Sequence, residues 1–156
     1  MAPRKRLAMV VVGAMVLAGC SSATSTTTTS TSSSAVNLPV TSEVRTQLIE
    51  AGAAVNGIPA SDYTGLAPSQ TYYAYDPATK TYWAGASLIP SPSSQRAQVS
   101  VQDDGSYVLF HRSTSGAWKA ADVGMSGIGG SKCATSVPAS ILKLWHWVGD
   151  TCRPPA

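Results

Sequence analysis

The sequence predicts an α+β domain in which an antiparallel sheet of about five strands carries an N-terminal helix on one face and has a short helix near its C-terminus. Two observations favour this class. An apolar stripe at helical spacing precedes several short runs rich in Tyr, Trp and Val, and a second helical stripe follows them. Gly, Pro and Asp residues separate the runs by short connections, which favour antiparallel neighbours.

The first predicted helix lies in TSEVRTQLIEAGAAV. Thr41 or Ser42 can serve as its N-cap. Apolar residues then fall on one stripe at Val44, Leu48, Ala51 and Val55. Asn56-Gly57 favours a left-handed exit, and Pro59 prevents the helix from continuing.

The predicted strands begin in TYYAYDPATKTYWAGASLIP, where two aromatic-rich runs flank the turn Asp76–Thr79. The third run, Ala97–Gln102, alternates apolar and polar residues, which favours a strand. The turn Asp103–Gly105 and the run Tyr107–His111 complete a second predicted hairpin. Trp118–Val123 is the fifth predicted strand.

Glycine content predicts a loop over GMSGIGGSK, residues 124–132. It does not match a phosphate-binding loop, because Ser131 separates Lys132 from the last glycine. Pro138 suits the first position of a helix. Apolar residues recur on one face of that short helix at Ile141, Leu144, Trp145 and Val148. The predicted order of a helix, five strands and a short helix is typical of α+β folds in which the helices pack on one face of the sheet.

The N-terminus has the order of a secretory signal peptide. Three basic residues, at positions 4–6, precede the apolar run Leu7–Leu17. The stretch Leu7–Gly19 is about 13 residues long, whereas a helix that spans hydrocarbon takes about 20. A signal peptide over residues 1–19 is therefore predicted in preference to a transmembrane anchor.

The stretch Leu17–Cys20, LAGC, resembles the lipobox of bacterial lipoproteins. The resemblance implies that the Cys20 thiol receives a diacylglycerol, and that cleavage removes residues 1–19. It also implies that the new amino group can be acylated with a fatty acid such as palmitate. Two or more chains anchor stably, because each buried methylene contributes about 0.8 kcal/mol. The expected location is the extracytoplasmic face of a cell membrane.

Residues 21–34 are almost entirely Ser and Thr. Such a segment cannot bury enough apolar surface to offset its ordering entropy. Residues 20–35 are therefore predicted to be a lipidated cysteine with a disordered linker, followed by one globular domain over residues 36–156. The hydroxyl groups of the linker are also compatible with O-glycosylation.

The charge of the mature chain argues against nucleic acid as a partner. The full sequence has 11 basic and 8 acidic residues, a formal net charge of +3. Removal of residues 1–19 also removes the three basic residues at positions 4–6, which leaves 8 basic residues against 8 acidic ones. A neutral chain has no long-range attraction for phosphate backbones.

Two cysteines, Cys133 and Cys152, remain once Cys20 carries lipid. In an exported protein such a pair favours a structural disulfide. Closing a loop of about 20 residues would stabilise the fold by about 3 kcal/mol in the chain-entropy model, and the C-terminal helix would lie inside that loop. Metal ligation and thiol catalysis are the alternatives. Only His146 lies between the two cysteines, which matches no zinc spacing, and an oxidising compartment disfavours a reactive thiol.

Candidate catalytic residues are few. His111 lies late in a strand, and His146 lies between two tryptophans. Neither has a recognisable Ser or Cys partner, and no Gly-x-Ser-x-Gly motif is present. The adjacent Asp103 and Asp104 suit a turn better than a glycosidase or calcium site. No catalytic set, metal or cofactor is expected from these residues.

Aromatic residues of the first predicted hairpin are the candidates for ligand binding. Alternation along a strand places Tyr73 and Tyr75 on one face and Tyr72 on the other, and it points Tyr82 and Trp83 in opposite directions. If Tyr73 and Tyr75 face the core, Tyr72 does not, and the pattern leaves open which face is exposed. The candidates that can stack on sugar rings or anchor a protein partner are Tyr72, Tyr82 and Trp83. The alternative is that the rings pair across strands and cover the sheet, for about 0.2–1 kcal/mol per pair.

Two functions stay open at this point. One is a membrane-anchored surface module that binds a protein or a cell-wall glycan. The other is a small exported hydrolase whose site forms only in the fold, with His111 or His146 as its base. The stretches YYAYDP, residues 72–77, and QDDG, residues 102–105, resemble those of uncharacterised exported lipoproteins of high-GC Gram-positive bacteria. That resemblance implies no activity.

Overall fold

A computed structural model describes residues 34–103, 106–122, 137–147 and 154. Its elements in chain order are β1 (Val36–Asn37), α1 (Ser42–Val55), β2 (Tyr63–Leu66), β3 (Tyr72–Asp76), β4 (Thr81–Pro90), α2 (Gln95–Asp103), β5 (Tyr107–Ser113), β6 (Lys119–Asp122) and α3 (Ala139–Trp145). Single 3-10 turns precede and follow β2. The predicted α+β class is confirmed.

The strands form one antiparallel sheet of six strands in the order β1-β3-β4-β5-β6, with β2 also paired to β4. The ten-residue β4 is central. Its residues 81–85 pair with β3 and residues 81–87 pair with β5, while its last residues, 88–90, pair with β2. The sequence did not predict β1 and β2, because strands of two and four residues are too short to show alternation.

The predicted strand over Ala97–Gln102 is wrong, since this segment lies within α2. Ala97 is fully buried, Val99 is 45% exposed, and Val101 is partly buried against the core. The inward positions therefore follow the i, i+4 spacing of a helix. The predicted second hairpin is wrong for the same reason, because β5 pairs with β4 and β6 instead.

Contacts at the start of α2 explain why this segment is a helix. The Ser94 Oγ accepts a hydrogen bond from the Ala97 N–H at 3.3 Å, as an N-cap does. The same hydroxyl donates to Asp62 Oδ2 at 2.8 Å, and Arg96 Nε donates to that oxygen at 2.6 Å. The hydrogen bond from Arg96, followed by that from Ser94, lowers the pKa of Asp62. Asp62 lies more than 30 positions away, so this support for the helix is not visible in the local pattern.

α1 follows its prediction closely. The Thr41 Oγ1 accepts a hydrogen bond from the Val44 N–H at 3.2 Å, and Gly57 has a φ of 62°, as its left-handed exit requires. The buried residues of α1 are Val44, Leu48, Gly52 and Ala53. The predicted apolar stripe fails only at its end, where Val55 is 44% exposed.

The sheet is covered on both faces. The α1 face is formed by residues that pack with α1 and α2, and its main buried members are Val44, Leu48, Leu66, Tyr73, Ala84, Leu88, Ala97, Val108 and Phe110. The α3 face is the opposite one, and its buried members are Ala35, Ala74, Trp83, Tyr107, Leu109, Ile141, Trp145 and Trp147. The expectation that the helices share one face is wrong, because α3 covers the other side of the sheet.

α3 is attached to the sheet by two side-chain hydrogen bonds. Asp76, only 2% exposed, ends β3, and its Oδ2 accepts from the Ser140 Oγ at 3.1 Å. The other carboxylate oxygen accepts from the Ala78 N–H at 3.0 Å and so closes the predicted turn. Near the other end of α3, Trp145 Nε1 donates to Asn37 Oδ1 on β1 at 3.0 Å. These contacts bring β1 and α3 together.

Several predictions concern residues outside the described part of the chain. They are the signal peptide, Cys20, most of the Ser/Thr-rich linker, Asp104, the glycine-rich loop, Cys133, Val148 and Cys152. The disulfide and the lipidation therefore stay predictions. Within the described ranges, no helix combines the length and apolar character needed to cross a bilayer.

Candidate functional site

The three aromatic candidates do not share one surface. Tyr72 and Trp83 lie on the α3 face, whereas Tyr82 lies on the α1 face. The Tyr72 ring contacts Trp145 and Trp147, with centroid separations of 5.5 and 5.3 Å, and Trp83 is 6% exposed. Tyr72 therefore packs against the aromatic rings at α3, Trp83 is buried on the same face, and Tyr82 lies beside Arg112 on the other face.

Tyr82 packs against the guanidinium group of Arg112. The guanidinium of Arg112 lies over the Tyr82 ring at 5.0 Å from its centroid and over the Trp118 ring at 4.8 Å. Tyr82 and Arg112 are direct partners in the β4–β5 pairing, and Trp118 directly precedes β6. Both rings are within cation–π range of this guanidinium, and their attraction helps to hold the side chain in place.

A cleft of about 420 Å³ opens beside the stacked arginine. We call it the arginine cleft, and it is lined by Gln47, Glu50, Ala51, Arg112, Ala117 and Trp118. The Gln47 amide is already engaged, because its Oε1 accepts from Trp118 Nε1 at 3.0 Å and its Nε2 donates to Glu43 Oε1 at 3.1 Å. Arg112 and Glu50 are the polar residues of the lining that stay available to a ligand.

Among the described residues, no carboxylate lies within ion-pair distance of the Arg112 guanidinium in the arginine cleft. Arg96–Asp62 is the only ion pair among the residues that the structure describes. The Arg112 Nε is buried and has no hydrogen-bond partner there. The terminal nitrogens of the same guanidinium belong to a residue that lines the cleft, and an anionic ligand there would pair with its charge.

A second cleft, of about 480 Å³, lies beside α3 and includes Asp76, Ser140, Lys143 and His146 in its lining. Its carboxylate and hydroxyl are bonded to each other, which attaches α3 to the sheet. No hydrogen bond joins Ser140 to His146 among the described residues. The Asp76 carboxylate and the Ser140 hydroxyl of this cleft therefore have a structural role.

Neither histidine side chain is hydrogen-bonded to a hydroxyl group among the described residues. His111 lies on the α3 face with its ring stacked on Trp83, at 5.2 Å between centroids. Burial, and then the charge of nearby Lys119, lowers the pKa of His111, which favours the neutral imidazole. His146 is exposed and ends α3 in a left-handed conformation, with a φ of 57°. The described residues also contain no group of three or more His, Cys, Asp or Glu side chains placed to hold a metal ion.

Sequence reasoning did not find Arg112, Trp118, Gln47 or Glu50. Gln47 and Trp118 are 71 positions apart, and the pairing of Tyr82 with Arg112 depends on the register of β4 against β5. Arg112 lies on the same face of its strand as Val108 and Phe110, which point inward. This position could have indicated that the Arg112 side chain packs against aromatic rings. The indication becomes useful only when the pairing of β5 with β4 is known, because that pairing places Tyr82 opposite Arg112.

Comparisons with known proteins do not identify this site. No known protein family matches the chain, and neither the curated proteins nor the solved structures give a match. The function has to be argued from the residues themselves.

Proposed function

We propose that this chain is a lipoprotein held on the extracytoplasmic face of a bacterial membrane, and that its globular part binds a cell-wall or surface-protein ligand. The observation that carries the anchoring is the stretch Leu17–Cys20 directly after a short apolar run. The arginine cleft supports the binding, because it offers a fixed cation beside an aromatic ring at the surface.

Binding is favoured over hydrolysis by the arrangement of the polar groups. A hydrolase of the serine or cysteine type needs a nucleophile within hydrogen-bond reach of its base. Among the described residues, the Ser140 hydroxyl is bonded to Asp76, and the His111 ring is stacked on Trp83. Neither arrangement supplies an activated nucleophile, so the second function open from the sequence has no observation in its favour.

Replacing Cys20 with Ala is expected to release the protein from membranes or to leave residues 1–19 uncleaved. The physical reason is that the thiol is the attachment point of the proposed diacylglycerol, and without acyl chains the neutral mature domain has little affinity for a bilayer. Membrane fractionation and intact-mass spectrometry measure both outcomes. The matched control is Ser25→Ala in the linker, which should stay membrane-bound at mature mass. Mature-length C20A protein in the membrane fraction would contradict the proposal.

The detergent-solubilised full-length chain is expected to be retained on purified peptidoglycan or on immobilised envelope proteins. The measurement is the fraction of protein that stays on each support after washing, with the same chain unfolded in urea as control. Retention on neither support, together with a hydrolytic activity abolished by His111→Ala or His146→Ala, would overturn the binding function in favour of the hydrolase.

A further inference from the structure

The stacking of Arg112 determines which chemistry it can recognise. Its guanidinium carbon lies within cation–π range of both Tyr82 and Trp118, and the side chain also lines the arginine cleft, so the cleft is the side from which a ligand reaches it. The Nε is shielded from solvent, which leaves the terminal nitrogens for contact from the cleft. A planar guanidinium with in-plane N–H groups matches the two oxygens of a carboxylate, and such paired bonds are among the strongest that a protein forms.

Glu50 adds a second requirement for the ligand. It lines the same cleft, is exposed, and makes no ion pair or hydrogen bond with another described residue. Its carboxylate accepts hydrogen bonds and repels a ligand that is only anionic. A ligand that satisfies both Arg112 and Glu50 therefore carries a carboxylate and, close to it, an N–H donor.

The remaining lining limits the size of the ligand. Ala51 and Ala117 are small, and Trp118 contributes an apolar ring edge. The volume of about 420 Å³ lies at the small end of the range of about 300–1,000 Å³ that is usual for small-molecule sites. The cleft thus has room for one or two residues with small side chains and not for a folded partner.

We propose that the arginine cleft binds the carboxyl-terminal end of a short peptide with small side chains, its carboxylate on Arg112 and its amide N–H on Glu50. This inference rests on the proposed binding function and specifies the ligand of the same cleft. An acylated dipeptide has the required order of groups, because its last amide N–H and its carboxylate share one α-carbon. The cell-wall peptide is the source to which the location of the protein points.

The test compares two probes that differ only in the carboxylate, N-acetyl-alanyl-alanine and its C-terminal amide. The full-length chain in detergent is titrated with each probe, and the indole N–H resonance of Trp118, assigned with Trp118→Phe, reports on the cleft. The acid is expected to shift this resonance saturably, and the amide to bind at least about tenfold more weakly, since losing a charge-assisted hydrogen bond costs that much.

Three variants separate recognition from folding. Arg112→Gln should weaken binding of the acid by at least about tenfold, whereas Arg45→Gln, which changes the same charge on α1 outside the cleft, should leave binding unchanged. If Arg112→Gln fails to fold, Ala117→Phe provides the same test, because this exposed residue lines the cleft and a larger ring fills it. It should abolish the shift without changing the urea midpoint.

The outcomes distinguish this inference from the function on which it rests. Retention on peptidoglycan that the acid displaces and the amide does not would support both. Retention that neither probe displaces, or equal shifts by acid and amide, would overturn the carboxylate ligand and leave the binding module standing. Displacement from envelope proteins only would support the carboxylate chemistry and overturn the cell wall as its source. Absence of both retention and a saturable shift would overturn both proposals.

Discussion

Replacing Phe110 with Ala is expected to lower the free energy of unfolding by about 3–5 kcal/mol. Phe110 is fully buried at the centre of the α1 face. Its ring meets Trp118 edge-on with 6.4 Å between centroids, and its Cζ lies 3.4 Å from the point where a Cβ on Gly52 would be. Removing the ring therefore opens a cavity between the sheet and α1 that neighbouring groups can fill only in part. Urea denaturation followed by far-UV circular dichroism measures the loss.

The matched control for Phe110→Ala is Val99→Ala on α2. Val99 is also apolar, but it is 45% exposed and makes no contribution to the buried clusters. Its substitution should change the free energy of unfolding by no more than about 0.5 kcal/mol. A loss at Val99 as large as that at Phe110 would mean that Val99 faces the core together with Ala97 and Val101, as in the predicted strand.

Replacing Gly85 with Ala is expected to destabilise the protein by about 1–3 kcal/mol or more, although only one methyl group is added. A Cβ at this position would overlap the Tyr107 hydroxyl oxygen and lie 2.9 Å from the Trp147 ring. Its backbone does not have a positive φ, so the cost is steric and not conformational. The rings that must move belong to the aromatic cluster under α3, where Tyr107 and Trp147 have 5.8 Å between centroids. Urea denaturation measures the loss, and near-UV circular dichroism reports on the rings.

Gly65→Ala on β2 is the control for the added methyl group. No atom lies within 4 Å of the Cβ position there, and Gly65 has no positive φ either. This variant should keep the wild-type urea midpoint. Equal losses at Gly65 and Gly85 would show that flexibility of the glycine, and not the close approach of Tyr107 and Trp147, determines the effect.

The two faces of the sheet differ in how their polar and small residues are buried. On the α3 face, the polar atoms Trp83 Nε1, Tyr107 Oη and Trp147 Nε1 are buried without partners among the described residues, and burial raises the pKa of Tyr107. On the α1 face, α1 meets the sheet through small residues such as Gly52 and Ala53. The edge between α1 and Trp118 stays open to solvent, and there Arg112 can meet a ligand.

Elements whose signals are local were predictable from the sequence. α1 has its cap, its stripe and its left-handed exit within 17 residues, 41–57, and each feature is confirmed in the structure apart from the last position of the stripe. The β3–β4 hairpin follows from aromatic runs around the Asp76 turn. The runs that became β5 and β6 were also recognised, because β-branched and aromatic residues favour strands whichever partner they find.

Features that depend on distant residues were decided only by the tertiary structure. Alternation over six residues fits a short helix as well as a strand, and the hydrogen bonds of Ser94 and Arg96 to Asp62 favour the helix. Once that segment is helical, β5 pairs with β4, and this register places Arg112 opposite Tyr82.

The sequence by itself therefore determined the α+β class and most of its elements, since capping, turn and strand signals act over a few residues. The arginine cleft required the fold, because Gln47, Tyr82, Arg112 and Trp118 approach one another only when α1, β4, β5 and the segment before β6 pack together.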